Sequence, residues 1–404
     1  MADYEKTGGT AGISIIMLGV ALAMRQMSMS MVAPFISTYC KTLLGYTPLL
    51  AGLALGIFGL TQAIFQIPYG MLSDRFGNKP IMALGLLQTV AGLVVAFFAQ
   101  NVGLLIFARA LQGSGAVIGV GYAWTASIAG DSMRTKAMGT LSAFVSFGAA
   151  AAFILGPVLR GFMEVRQMFL LCASAIFLTV LYIFFFIRDI SQARPDVELR
   201  GSGIKTFFQN RKLVSFGGMA FLNNYMMMSV FFAVPIYLNS ILGESRLWEI
   251  FVPAIPVAFL AMKAAVSFTD KGFGNIILFL AFVLSSISVL FCLNKSSAVY
   301  LSVGMVLFLC GYIAIATILA ADVNELADSQ HRGTVNGIYN SMQFLGNFAG
   351  PTVTGLIWGT SQKAALLAVF GAGVVGVGMA VKLRADSKKE NEGRGPAIHE
   401  TKDS

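Results

Sequence analysis

No acidic residue lies in the middle of a long apolar run of this sequence; all 19 Asp and Glu fall in connections, tails or run ends. Charged residues of both signs make up only 12% of the chain and hydrophobic ones 56%, against roughly 25% charged in a soluble domain. That scarcity excludes a water-soluble globular protein and places the chain in a lipid bilayer. The two histidines, His331 and His399, stand in a connection and in the tail, so no histidine metal site is expected. The four cysteines, Cys40, Cys172, Cys292 and Cys310, show no Cys-x-x-Cys spacing and read as small membrane hydrophobes. The Gly-x-x-x-x-Gly-Lys-Ser/Thr phosphate loop is absent, which leaves ATP hydrolysis unsupported. No Ser/His, paired-carboxylate or metal constellation falls at membrane depth, so neither an enzyme nor a cofactor is expected.

What the chain has is apolar length. Runs at 11–37, 49–70, 80–99, 101–126, 137–160, 167–187, 213–239, 248–269, 275–292, 297–320, 334–358 and 362–383 are each about long enough to cross ~30 Å of hydrocarbon. The first is too long for a signal-peptide core and lacks a small-residue cleavage site, so it is read as retained. The expected fold class is all-α integral membrane with twelve transmembrane helices. Nineteen of the 28 basic residues lie at the termini and in the even-numbered connections, six in the odd ones. The positive-inside rule therefore puts both termini in the cytoplasm. The net charge of +9 marks orientation, and no nucleic-acid partner is expected.

The longest polar interruption, 188–212, holds Pro195, two glycines and six basic residues. It divides the chain into a short N-terminus (1–10), a six-helix bundle (11–187), a linker, a second six-helix bundle (213–384) and a polar tail (385–404) expected to be disordered. The halves echo one another. Asp74-Arg75-Phe76-Gly77-Asn78 returns loosely as Asp270-Lys271-Gly272-Phe273-Gly274-Asn275, Arg134-Thr135-Lys136-Ala137-Met138-Gly139 as Arg332-Gly333-Thr334-Val335-Asn336-Gly337, and Gly156-Pro157 as Gly350-Pro351, at separations of 194 to 198 residues. Such repetition predicts two pseudo-symmetric bundles with a site near the midplane.

Between the second and third runs stands the glycine-bounded turn Gly70-Met71-Leu72-Ser73-Asp74-Arg75-Phe76-Gly77-Asn78-Lys79-Pro80. On its own it reads either as a solvated turn that fixes topology or as a moving part. Its pattern Gly-x-Leu-x-Asp-Arg-x-Gly-x-Lys resembles the loop 2–3 signature of the major facilitator superfamily (MFS), with Asn78 where that family carries an arginine. With the features below, the resemblance covers nearly all of residues 11–384. It implies the MFS fold and a conformational switch built from Gly70, Asp74, Arg75, Gly77, Lys79 and Arg134. In that switch Asp74 pairs with Arg75 and Arg134 and faces the start of the eleventh helix near Thr334. A carboxylate at a helix N-terminus gains ~0.3–1 kcal/mol.

Arg109-Ala110-Leu111-Gln112-Gly113-Ser114-Gly115-Ala116 is similar to the helix-four Arg-x-x-x-Gly-x-Gly-Ala motif of proton antiporters in the same superfamily. There the arginine is implicated in proton transfer or in holding the site electrostatically; the glycines alone would also suit close helix packing. Gly156-Pro157-Val158-Leu159-Arg160-Gly161 is similar to the antiporter signature Gly-Pro-x-x-Gly-Gly, with Arg160 in place of a glycine. Gly156 and Pro157 are expected to bend the fifth helix, as a gate would need. Arg25 with Met31-Val32-Ala33-Pro34, and Phe65-Gln66-Ile67-Pro68-Tyr69-Gly70, resemble the YajR-type group of drug/proton antiporters. The 20-residue tail has no room for that group's C-terminal cytoplasmic domain, so regulation through it is not expected.

Three cations fall inside apolar runs: Arg25, Arg109 and Lys263. A charge at the bilayer centre costs roughly 2.5–3.5 kcal/mol on insertion scales, so each is a candidate functional residue. Lys263 either snorkels to the interface or lines the cavity. Asn223, Asn224, Gln343 and Asn347 either bond helix to helix or join a substrate and coupling site. The expected activity is secondary active transport of a small organic solute by alternating access, in a monomer, with the proton gradient as driving force by resemblance. Cations without intramembrane acids favour an anionic or zwitterionic substrate. The alternative is a broad-specificity multidrug/proton antiporter with an apolar Met/Phe-lined cavity. A sensor would need a signalling domain, and a channel would show flux without saturation.

Overall fold

The computed structural model describes residues 2–187, 198–243, 246–295, 297–327 and 331–393, the side chains of 2–11, 130–132, 134–135, 198–203 and 387–393 excepted. The described residues are almost wholly helical. α1 (Ala2–Met31) gives way at Pro34 to a tight 3₁₀ turn, Ala33–Phe35, before the short α2 (Ile36–Cys40), because proline offers no N–H to continue the ladder. Thr47 caps α3 (Pro48–Phe76), accepting from the Leu50 N–H at 3.2 Å, with Pro48 in the first turn where its missing donor costs nothing. Gly77 alone links α3 to α4 (Asn78–Phe97). Its φ of +92° is a conformation that side-chain-bearing residues adopt only under strain. α5 (Val102–Ser114) and α6 (Ile118–Arg160) are separated by a break at 115–117, and α7 (Val165–Phe186) closes the first half.

The second half follows a short helix, α8 (Glu198–Gln209), inside the stretch read as linker. It comprises α9 (Arg211–Leu242), α10 (Trp248–Phe268), α11 (Gly274–Phe291), α12 (Ala298–Leu326), α13 (Arg332–Trp358) and α14 (Gln362–Gly393). α14 continues through residues 385–393 of the polar stretch read as tail, since extending a formed helix fixes few further dihedrals per bond gained. Among the described residues, ten stretches are long and apolar enough to cross a membrane. One of them, Trp248–Phe291, is two helices that part at Gly272, where φ is +88°. α13 falls outside the ten because Arg332, Asn336, Asn340, Gln343 and Asn347 dilute it, and it completes the expected twelve.

Within the first half α1 packs on α6 and α3 on α5; within the second α9 packs on α13 and α11 on α12. The pseudo-symmetry is visible in contacts as well as in sequence. A Cβ added to Gly156 of α6 would meet the Met31 carbonyl of α1, and one on Gly350 of α13 would meet the Tyr225 carbonyl of α9. α6 runs through Pro157 without interruption.

The halves meet chiefly along α3 and α13, and among the described residues their backbones approach most closely at one end. A Cβ on Gly56 would lie 2.7 Å from the Phe348 carbonyl oxygen, and one on Gly59 2.6 Å from that of Phe344; only glycine allows such backbone contact. Phe153, Phe231 and Phe251 from α6, α9 and α10 stack edge-on across the same end, with ring centroids 5.5 and 6.2 Å apart. At the other end a Cβ added to Gly70 of α3, or to Gly333 or Gly337 of α13, would meet no atom within 4 Å. There Ile64, Ile67, Met71 and Phe76 of α3 are exposed. Among the described residues, the molecule is closed at the end bearing residues 48–59 and open at the end bearing the Gly77 turn.

Candidate functional site

The break between α5 and α6 organises the polar interior of the first half. A Cβ on Gly115 would meet the Gly85 carbonyl and Thr89 Oγ1 of α4, so the unwound backbone sits where no side chain fits. A broken helix leaves carbonyls without their usual donors, and in a bilayer other protein groups must supply them. Arg25 does so from α1: its Nη2 donates to the Gly115 carbonyl at 3.0 Å, while the residue is 1% exposed. Beside it the Tyr69 hydroxyl donates to Gln88 Oε1, and Gln88 Nε2 donates to Ser114 Oγ at 2.5 Å.

Arg109 is fully buried on α5. Its Nη1 donates to Gln112 Oε1 at 2.5 Å, its Nε to the Ala54 carbonyl at 3.4 Å, and its guanidinium lies 4.7 Å from the Phe58 ring centroid. A ring face attracts a cation, and desolvation strengthens that attraction. Neither arginine forms an ion pair among the described residues. Arg25 Nε, Arg109 Nη2 and Gln112 Nε2 lack hydrogen-bond partners there. Both cations are thus held inside the first half by carbonyls, an amide and a ring, away from the exposed walls of the open end.

In the second half Asn223 Nδ2 donates to the Tyr312 carbonyl of α12 at 3.2 Å, and Asn224 Nδ2 to the Ala220 carbonyl of its own helix at 2.9 Å. Those two amides therefore bond within the bundle. Lys263 is exposed on α10, one turn from the exposed Leu260. Gln343 is half-buried, and Asn347 is buried with Oδ1 unpartnered among the described residues. A Cβ on Gly59 would sit 3.1 Å from Asn347 Cβ, so Asn347 faces α3 where the closed contact ends.

Sequence reasoning missed what lies across from it. Gln62 and Gln66 follow Gly59 on α3; Gln62 is 2% exposed, and Gln62 Nε2 and Gln66 Oε1 have no partner among the described residues. Buried amides are ordinarily satisfied. Unpartnered amide atoms of Gln62, Gln66 and Asn347 nonetheless gather where the closed contact between α3 and α13 ends. The legible signal was the four-residue spacing of two glutamines beside the glycine stripe 52, 56 and 59.

The turn residues lie at the open end. Asp74 and Arg75 are exposed, and the Arg75 guanidinium rests 5.2 Å from the Phe76 ring centroid. Lys79 Nζ donates to the carbonyls of Phe184 and Ile187 at the end of α7, at 2.9 and 2.7 Å. The side chain of Arg134 lies outside the described residues.

Two helical bundles that close on each other at one end, with unpartnered amides where the contact stops, define a polytopic membrane transporter. The family model of the Major Facilitator Superfamily matches residues 18–351, and the chain belongs to that superfamily. It is 30% identical to the inner membrane transport protein YajR of Escherichia coli over 369 residues, 89% of this chain and 80% of that protein. It is 27% identical over 349 residues to the multi-drug resistance efflux pump PmrA of Streptococcus pneumoniae, covering 80% of this chain and 84% of the pump. A bacterial homologue of the human lysosomal transporter Spinster, solved in an inward-facing and unoccupied conformation, superposes with a TM-score of 0.75 at 14% identity, covering 92% of this chain and 96% of that one. The protein is therefore an all-helical, multi-pass inner-membrane transporter and not an enzyme.

Proposed function

We propose that this transporter moves a small anionic or zwitterionic organic solute by alternating access, coupled to protons. In this reading the open end faces the cytoplasm, as the basic connections require, and the solute binds between Gln62 and Gln66 on one side and Gln343 and Asn347 on the other. The observation that carries the proposal is the set of unpartnered amide atoms where the α3–α13 contact ends. Amides orient a solute without fixing its charge. The sign comes from Arg109, whose partner Phe58 is one turn from Gln62 on α3. At an effective dielectric of ~20 and a distance of ~10 Å, one uncompensated charge favours an anion by on the order of 1–2 kcal/mol. Proton coupling rests on the antiporter-like stretch at 109–116.

The similarity to a multi-drug pump favours a second reading, broad-specificity export through an apolar cavity. Thermal stability of the purified protein against organic anions and lipophilic cations separates the two. A ligand at one hundred times its Kd stabilises the folded state by about 2.7 kcal/mol. Stabilisation by anions that Gln62→Ala and Asn347→Ala abolish supports the first reading. Stabilisation by lipophilic cations alone supports the second.

A further inference from the structure

We infer that an anionic phospholipid of the bilayer binds in the crevice between α4 and α7, with its phosphate on Lys79 and one acyl chain along the apolar walls. The crevice encloses about 600 Å³ and is lined by Ala83, Leu84 and Leu87 of α4 and by Phe177, Leu181 and Phe184 of α7, with Lys79 as its charged wall residue. The remaining lining is also apolar, so a chain entering it meets hydrocarbon throughout.

Charge and length together select the occupant. Lys79 Nζ donates to two carbonyls that end α7, Phe184 at 2.9 Å and Ile187 at 2.7 Å, and stands 5.4 Å from the Phe184 ring centroid. An ammonium has three N–H donors, which leaves one for a phosphate oxygen. Arg75, exposed in the same turn, adds positive charge beside it. Basic residues near an anionic lipid surface attract its headgroups. From Lys79 to Leu87 the wall extends ~12 Å at 1.5 Å per residue. That matches the ~15 Å depth of one leaflet and falls well short of the ~30 Å a partner helix would need. A molecule with a charged head and a chain one leaflet deep has this shape; a helix from a second copy does not.

The test is retention of lipid by the detergent-purified full chain, read by native mass spectrometry, with phosphatidylglycerol and phosphatidylcholine of identical chains as probes. We expect one tightly retained phosphatidylglycerol, weakened at least tenfold by Lys79→Met, which removes the head contact, and by Ala83→Trp, which fills the crevice. Leu170→Trp, at an exposed position elsewhere on α7, should leave retention unchanged. If Ala83→Trp does not fold, Leu84→Phe at an exposed wall position carries the same expectation. Equal retention by the crevice variants and Leu170→Trp overturns the proposal. So does equal retention of the two lipids, or a dimer that the crevice variants disrupt.

Discussion

Arg25 donates to the Gly115 carbonyl at 3.0 Å, and the second half repeats the bond with Asn223 donating to the Tyr312 carbonyl at 3.2 Å. The donors stand 198 residues apart and the acceptors 197, within the range of the sequence echoes. Each bond joins the first helix of its half to the fourth. The first half needs the stronger donor because its fourth helix is broken at 115–117, whereas α12 is continuous.

This predicts unequal costs. Arg25→Met should lower stability by roughly 1.5–3 kcal/mol, the usual worth of a hydrogen bond to a charged group, and Arg25→Lys should recover part of it. Asn223→Leu should cost about 0.6 kcal/mol, typical of interhelical bonds in membranes. Unfolding in detergent measures both, and an Arg25→Met protein as stable as wild type would contradict the assignment.

Asn347 gives the opposite sign. A buried polar atom without a partner costs about 1–3 kcal/mol, so Asn347→Leu should leave stability unchanged or raise it while abolishing ligand-induced stabilisation. Joint loss of stability and binding would make Asn347 a structural amide.

The two glycine stripes make a paired prediction. Gly56→Leu forces apart a contact in which the chain allows only 2.7 Å, so it should open the end that is now closed or prevent folding. Gly337→Leu meets open space and should fold normally, yet block transport by holding the other end open. Reactivity of thiols introduced near each end reports both effects.

Asp74→Asn keeps the size of the turn residue and removes its charge. It should leave the fold intact and impair transport, because the proposed switch uses the charge of the Asp74 carboxylate. Transport at the wild-type rate would remove Asp74 from the switch.

The helices were legible in the sequence because membrane spans advertise themselves through uninterrupted apolar length, and the Gly77 turn because a one-residue link with positive φ demands glycine. The glycines at 113 and 115 suit an antiporter-like motif or close helix packing in sequence, but the break at 115–117 that Arg25 completes is not legible there, since which carbonyl a buried arginine reaches is set by tertiary contact. Gln62 escaped notice for the same reason. Nothing in its neighbours distinguishes a satisfied amide from an unpartnered one until α13 is laid against α3. Lys263 reads from sequence as either a snorkelling or a cavity cation, and the structure leaves it exposed on α10 one turn from Leu260.

The central claim, that closure at one end and opening at the other are two faces of one motion, is tested most directly by paired distances in proteoliposomes. Spin labels at Thr47 and Gly359 report the closed end, and labels at Phe76 and Gly333 the open one. All four native cysteines are buried, which favours labelling at the introduced thiols. With an imposed proton gradient, the 76–333 distance should shorten as the 47–359 distance lengthens. Distances that change together, or an open end that moves while the closed end stays fixed, would contradict it.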